Sequence, residues 1–311
     1  MRLRFRTNVV STVIVVGSIL LFPFVAQGQT VAGTIDSSEG AFWEDIQLLR
    51  AKVFVSDSTA KSVLVYDANS LALRTEILLE PYLAHTYDAP FDLAGCEATG
   101  TLYVSTHDTA ATSASRILMI DAESESVTGT LVDTCCHAFV AIDESRARLY
   151  VISLHVYKTV ESFDLNTNTS LGTLDIGAIM GDGLMGWAEE RSINKATGEL
   201  AFSNHHYDRF LLVDGPNLTG ETVSAANSRG YVPTWNWQEN KLYITTIDWS
   251  GYFVHDRDTG VSGIANCVND GTELFFSEAM NRIYSGAEVN HDTTIIDGTT
   301  DSCLVHRELG G

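Results

Sequence analysis

Basic residues are scarce in this chain. Lys and Arg total 19 against 40 Asp and Glu, which gives a formal net charge of −21 at pH 7. So acidic a chain repels phosphate backbones, and we therefore expect no nucleic-acid partner. The acidic excess favours solubility but identifies no ligand.

Cysteine is also sparse. Five cysteines, widely scattered, are too few for a disulfide scaffold, so the hydrophobic core must stabilise the fold. Cys135 and Cys136 are adjacent, and Cys96 is expected on the opposite face from them. The strand pattern described below also sets Cys267 and Cys303 on opposite faces, whereas a bridge needs α-carbons about 4.4–6.8 Å apart. We expect buried or unpaired thiols.

Only one long apolar run occurs, from Val9 to about Ala26, preceded by Arg2, Arg4 and Arg6. With "AQG" at its end, this segment predicts a secretory signal peptide over residues 1–28; a retained membrane anchor is the alternative. No second segment is long and apolar enough to span a membrane. Removing the leader leaves 16 basic residues against 40 acidic ones, in an exported protein that is secreted or periplasmic.

Helical periodicity is absent after the leader, and short apolar strands take its place. Six of these strands end in an aspartate and are followed by a polar turn and another apolar run. The aspartates lie 54, 43, 50, 42 and 41 residues apart: Asp67, Asp121, Asp164, Asp214, Asp256 and Asp297. A carboxylate at this place accepts hydrogen bonds from the turn that it opens, so we expect a structural role.

Two more strands precede each of these hairpins. The nearer strands are "KVFVSD", "TLYVST", "RLYVIS", "ELAFSN", "KLYITT" and "RIYSGA". The earlier strands are "AFWEDIQLL", "PFDLAG", "AFVAID", "MGWAEE", "PTWNW" and "ELFFS". Four short strands in a unit repeated six times predict an all-β fold, a β-propeller with six four-stranded blades over residues 29–311.

One unit, "TVESFDLNTNTSLGTLDIG" preceded by "LYVIS", resembles the YVTN-type β-propeller repeat. The resemblance covers residues 30 to 311 and implies the fold rather than an activity. Long loops at 80–90 and 176–187 depart from the regular period. "TVAGTI" (30–35) is similar to a fourth strand, so the ring is either six-bladed with a surplus strand as clasp, or a truncated seven-bladed ring.

Histidines concentrate on one side of the predicted ring, which we call the loop face. It is the side where the connections between second and third strands, and those between blades, emerge. Seven of nine histidines fall there: His85, His107, His137, His155, His205, His206 and His291. The alternative is that they are ordinary polar surface residues.

Four of these histidines form the best local group for a metal: His137, His155, His205 and His206. Imidazoles near the thiols of "CCHAF" suit copper, zinc or iron rather than calcium. The spacing matches no established zinc motif. The cofactor is therefore left as an unidentified transition metal.

Ligand-binding candidates on the same face are Tyr207, Asp208, Tyr231, Trp235 and Trp249. Aromatic side chains near inner strands also pack between blades, which is the structural alternative. The partner would be a protein or a small molecule.

Catalytic motifs are missing. No G-x-S-x-G appears, "GDGLMG" lacks the lysine and helix of a phosphate loop, and "DTG" (258–260) fits a turn. The sequence thus predicts an exported binding protein. A transition-metal-dependent enzyme and the propeller subunit of a quinoprotein-type dehydrogenase are alternatives, and whether the chain is an enzyme stays open.

Overall fold

The structure of the protein is a computed structural model. The structure describes residues 12–14, 34–36, 43–85, 88–108, 114–135, 138–153, 158–180, 191–203, 209–224, 230–246, 251–265, 267, 271–287 and 292–308.

The described residues form six four-stranded antiparallel sheets in chain order, as the repeat pattern predicts, and one separate pair, β1 Thr12–Ile14 with β2 Thr34–Asp36. The first three blades are β3 Trp43–Leu49, β4 Lys52–Asp57, β5 Ser62–Asp67, β6 Leu73–Leu78; β7 Asp88–Cys96, β8 Thr101–Asp108, β9 Ala114–Asp121, β10 Ser126–Cys135; and β11 Ala138–Asp143, β12 Arg148–Ser153, β13 Thr159–Asp164, β14 Ser170–Asp175. The other three are β15 Arg191–Ile193, β16 Glu199–Phe202, β17 Arg209–Asp214, β18 Thr219–Ser224; β19 Gly230–Asn236, β20 Lys241–Thr246, β21 Tyr252–Asp256, β22 Ser262–Ala265; and β23 Gly271–Ser277, β24 Arg282–Ala287, β25 Asp292–Asp297, β26 Cys303–Glu308.

Helical structure is minor in the described part of the chain. The helix α1 spans Gly177–Met180, and single 3-10 turns span Glu80–Tyr82 and Glu144–Arg146. The first two of these lie in the two long loops that interrupt the repeat. Among the described residues, no helix has the length and apolar character needed to cross a membrane.

The six repeated aspartates occupy equivalent positions, which confirms the repeat prediction. Each is the last residue of the third strand in its blade. Asp164 Oδ1 accepts hydrogen bonds from the backbone N–H groups of Asn166 and Thr167 at 2.8 and 2.9 Å. Asp256 and Asp297 repeat the arrangement with the second and third residues after them. The carboxylates therefore close the turns to the fourth strands.

Apolar side chains form the core between adjacent blades. In one cluster, Leu49 and Phe54 of the first blade pack with Leu93 and Leu102 of the second. The first strands of consecutive blades also contact one another, from β3 to β23. The first strand of each blade is therefore the innermost, and the blades are arranged side by side as in a propeller.

Polar residues link the blades on the side opposite the loop face, which we call the turn face because the six aspartate turns lie there. Arg146 donates to the carbonyl oxygen of Ala196 in the next blade. Asn194 Nδ2 donates to Asn240 Oδ1 at 2.9 Å, and Asn236 Nδ2 to Asn281 Oδ1 at 2.8 Å. One blade is thus bonded to the next through the turns between first and second strands.

Strand boundaries differ from the sequence prediction in several blades, as two examples show. The first strand of the fourth blade is Arg191–Ile193, whereas "MGWAEE" (185–190) lies outside the described residues. The strand β8 continues to Asp108, so His107 lies within a strand and not in a loop. Pairing of His107 with Ala89 extends the ladder, because the first strand of that blade is also long.

The expectation for two cysteines was wrong. Cys267 and Cys303 form a disulfide, with their α-carbons 5.7 Å apart. Neighbouring strands are rotated by about 20–25°, so the fourth strand is turned by roughly 60–75° from the first. Strand ends assigned to opposite faces can therefore meet between blades, and Cys267 packs against Ile283 and Ile296 of the sixth blade. Cys96 is free and buried, as expected.

Candidate functional site

The residues predicted to form a metal site come from segments that join described strands. His137 lies between β10 and β11, His155 between β12 and β13, and His205 and His206 between β16 and β17. All four lie outside the described residues, as do Tyr207, Asp208 and Trp249. Their arrangement as a site stays a prediction. Within the part of the chain that is described, no group of three His, Cys, Asp or Glu side chains could hold a metal ion.

Two ligand-binding candidates lie on the first strand of the fifth blade. Tyr231 is the second residue of β19. Trp235 is completely buried and packs with Phe210 and Phe253 in the cluster between the fourth and fifth blades. Trp235 exposes no surface that a ligand could contact, so packing between blades replaces the ligand-binding prediction for this residue.

Bulges interrupt the inner strands near the loop face. The pairing of first and second strands shifts register between Trp43 and Ile46 and, in the fifth blade, between Gly230 and Pro233. A hydroxyl of the second strand satisfies the backbone N–H group freed there: Ser56 Oγ accepts from Asp45 at 2.8 Å. Bulges re-aim side chains and are frequent beside binding sites. The sequence signal is the hydroxyl at the fifth position of the second strand.

Equivalent bulges in the second and fifth blades use the same device. Ser105 Oγ accepts from the N–H group of Asp92 at 3.1 Å, and Thr245 Oγ1 accepts from that of Val232 at 2.9 Å. At these three bulges, the backbone N–H group freed from the ladder therefore has an acceptor.

Buried carboxylates bridge these inner strands. Asp45 Oδ2 accepts a hydrogen bond from the backbone N–H group of Leu93, and Asp92 Oδ2 accepts one from Val140, at 2.9 and 2.7 Å. Each bond joins one blade to the next, and both aspartates are almost completely buried. The acceptor of one blade is thus fixed to the backbone of its neighbour.

Arg191 completes this buried layer. Its guanidinium forms an ion pair with Asp92, and Nε donates to the carbonyl oxygen of Val140 at 2.8 Å. The same group lies 5.0 Å from the ring centroid of Phe139. One arginine therefore connects the inner strands of the second, third and fourth blades. A carboxylate and an arginine 99 positions apart gave no sequence signal that they would meet.

Asp88 supports the long connection between the first and second blades. The side chain is fully buried, and Oδ2 accepts hydrogen bonds from the N–H groups of Ala84 and His85, both at 2.9 Å. His85 itself is exposed. The carboxylate therefore holds the end of this loop against β7.

A further buried carboxylate, Glu199, lies away from the loop face. Glu199 forms a two-bond contact with Arg257 of the next blade, and Arg257 also reaches Glu221 at 2.7 Å. Burial raises the pKa of Glu199 in spite of the arginine. A shifted pKa often marks a functional group, but this one belongs to a link between blades on the turn face.

Comparison with known proteins defines the fold. No protein-family model matches the chain, and no curated protein matches it. A chain in the solved structure entitled "Crystal Structure of Mitotic Checkpoint Complex" is similar, with a TM-score of 0.63 and 15% sequence identity over 83% of this chain and 74% of that chain. At this identity the likeness concerns the fold alone, and with the six sheets it makes this chain a β-propeller.

Proposed function

We propose that this chain is an exported, YVTN-type β-propeller that binds a protein or small-molecule partner on its loop face. Residues 1–28 would be its signal peptide and 29–311 its propeller domain. One observation carries the proposal: described polar groups of the turn face are largely occupied by turn caps and links between blades. The proposal assigns the histidine-rich connections to the other face.

The buried layer beneath the loop face supports this assignment. Asp45, Asp92 and Arg191 connect the inner strands of the first four blades, which limits movement where the loops begin. Binding residues on loops need such a scaffold, because a preorganised site loses less entropy on binding. The solved chain of similar fold belongs to a complex, which agrees with a binding role.

The test compares the two faces. Tagged protein, its double variant Tyr207→Ala/Asp208→Ala and a turn-face control, Asn69→Ala/Asn166→Ala, are incubated with native culture medium and their captured molecules are compared. The control residues are exposed and only their backbone N–H groups cap turns. We expect wild type and control to retain a common partner that the loop-face variant loses. Loss in the control alone would contradict the proposal.

Metal content separates the binding role from the enzymatic alternative. Untagged protein is analysed for copper, zinc and iron, with His205→Ala/His206→Ala for comparison and His85→Ala as control. A stoichiometric metal lost only in the double variant would favour the metal-dependent enzyme. Its binding should then weaken as pH falls through about 6.5, where imidazole becomes protonated.

A further inference from the structure

In a propeller, each blade has one side that packs against the next blade along the chain. In the second and fifth blades, a tyrosine at the third position of the second strand lies on this side. Tyr103 donates to Asn168 Oδ1 of the next blade at 3.1 Å, and Tyr243 donates to the carbonyl oxygen of Gly298 at 3.2 Å. Tyr284 holds the same position in β24. We call the side of the sixth blade that carries Tyr284 the terminal face.

An apolar row crosses the terminal face. Phe275, Tyr284, Ile295 and Val305 are successive cross-strand partners in the four strands. Directly paired residues lie on the same side of a sheet, so the four side chains form one continuous row. Phe275 is 40% exposed and Val305 is 38% exposed, although Phe275 belongs to an innermost strand.

The two inner positions of this row are covered in other blades. Ala94, Ala141 and Thr234 hold the position of Phe275 in the second, third and fifth blades and are nearly buried. Their tyrosine partners are at most 1% exposed. In the sixth blade, Tyr284 instead donates to Sδ of Met280, in the turn before its own strand, at 3.0 Å. The inner half of the row, which other blades bury, is thus partly exposed here.

Charge beside the row indicates what covers it. Arg282 and Asp297 are direct cross-strand partners, two residues along the strands from Tyr284 and Ile295 and on the same face. A two-fold axis parallel to the strands, in front of this face, would relate the chain to a second copy. The first strand of one copy then lies over the fourth strand of the other, and the second strand lies over the third.

This symmetry sets apolar side chains against apolar side chains and sets opposite charges against each other. Phe275 faces Val305 of the second copy, Tyr284 faces its Ile295, and Arg282 faces its Asp297. The terminal face is therefore self-complementary, as a two-fold interface requires. An ion pair between facing blades already occurs inside the molecule: Lys241 Nζ lies 3.1 Å from Asp301 Oδ2, in a turn of the sixth blade.

We propose that the terminal face binds a second copy of this chain and forms a two-fold dimer of sheets packed face to face, about 10 Å apart. The dimer buries the apolar row, whose two ends are exposed in the described part of the chain. The loop face is a different surface and stays accessible in both copies.

Sedimentation velocity over a range of concentrations tests the dimer. Wild type should be dimeric. Phe275→Glu and Val305→Glu should each raise the dimer dissociation constant at least tenfold. Ile264→Glu is the matched control, because Ile264 is also on a fourth strand and is 41% exposed. It should leave the dimer unchanged. Arg282→Glu, on the rim of the row, should weaken the dimer without adding a charge to its apolar centre.

Cross-linking tests the geometry. First and fourth strands of one sheet lie roughly 14 Å apart, since strands are spaced about 4.8 Å. With a short bifunctional thiol reagent, which bridges the gap between facing sheets that a direct disulfide cannot span, a mixture of Phe275→Cys and Val305→Cys proteins should give a covalent dimer that neither variant forms alone and that wild type does not form. Cross-linking within each single variant, with no additional product in the mixture, would contradict the proposed axis.

Three outcomes would overturn the dimer. Wild type could be monomeric at its highest soluble concentration. It could remain dimeric in both glutamate variants, which would place the interface elsewhere. It could also be monomeric and lose folding stability on Phe275→Glu but not Ile264→Glu, which would show that its own chain covers the row.

Discussion

At the scale of single residues, the aspartates that end the third strands hold the turns by accepting backbone hydrogen bonds. These bonds favour the ionised carboxylate, and they lower the pKa of five of them: Asp67, Asp121, Asp164, Asp256 and Asp297. A carboxyl whose pKa is lower in the folded state stabilises the fold at pH values above the pKa of the unfolded carboxyl, 3.8. That stability is lost as pH falls through the folded pKa.

Replacing one such carboxylate should weaken its turn. Asp164→Ala removes the acceptor for Asn166 and Thr167, so the urea midpoint at pH 7 should fall. Asp164→Asn keeps an acceptor and should fall less. Glu76→Gln, at an exposed position of β6, is the control and should leave the midpoint unchanged. Equal midpoints for the Ala and Asn variants would contradict the turn-cap explanation.

A buried histidine should give the fold a pH dependence near neutrality. His255 Nδ1 lies 3.0 Å from Ser262 Oγ, and its ring meets the edge of Phe210. Burial lowers the pKa of His255; Arg257 lowers it further, while Glu221 and Asp256 act in the opposite direction. The unfolded histidine, with a pKa of 6.5, binds a proton first as pH falls. Stability should therefore decrease below about pH 6.5.

Urea unfolding at two pH values checks this expectation. Between pH 7.5 and 5.5, wild type should lose more stability than His255→Asn, whose side chain cannot be protonated in this range. His85→Asn, at an exposed position, should behave like wild type. If His255→Asn and wild type lose equal stability over this range, His255 is not the group responsible.

At the scale of elements, the inner strands are joined by side chains as well as by apolar packing. Asp92 accepts from Val140, and Arg191 bonds both Asp92 and the carbonyl oxygen of Val140. A buried charge is tolerated only when its partners are present, because the interior does not solvate it. The second, third and fourth blades therefore depend on one another through this cluster.

Breaking the buried ion pair should be costly. Arg191→Met leaves the buried carboxylate of Asp92 without its cation and should destabilise the fold by about 3–5 kcal/mol. The double variant Asp92→Asn/Arg191→Met should recover part of the loss, since a neutral amide still accepts from Val140. Chemical denaturation measures both. A double variant less stable than Arg191→Met would show that charge compensation is not the cause.

At the scale of the whole molecule, covalent and polar links join blades that no strand crosses. The Cys267–Cys303 disulfide joins the connection after the fifth blade to the outermost strand of the sixth. A bridge between segments 36 residues apart restricts the unfolded chain as well as fastening that strand.

Removing the disulfide should lower stability by about 2–4 kcal/mol. Cys267→Ser and Cys303→Ser should have similar effects, and the double variant should add little, because either change removes the same bond. Denaturation with and without reductant checks this. Additive losses would mean that the two sulfurs contribute separately through packing.

The sequence pattern and the tertiary contacts gave different information about the candidate site. The sequence predicts which connections carry His137, His155, His205 and His206, because the strands on either side follow a regular order. It could not reveal that Trp235 is enclosed between blades, since an aromatic residue fits an inner strand equally well when buried or exposed. Nor could it pair Asp92 with Arg191, which come from strands two blades apart.

The sequence by itself determined the number of blades it supports, the order of their strands and the place of each turn aspartate. These properties follow from alternation, turn chemistry and a repeat period, all of which act between residues close in the chain. Only the tertiary structure decided the disulfide, the buried arginine and the exposed row on the sixth blade. Sheet twist and the packing of one blade on the next set those contacts, and they join residues that no local pattern relates.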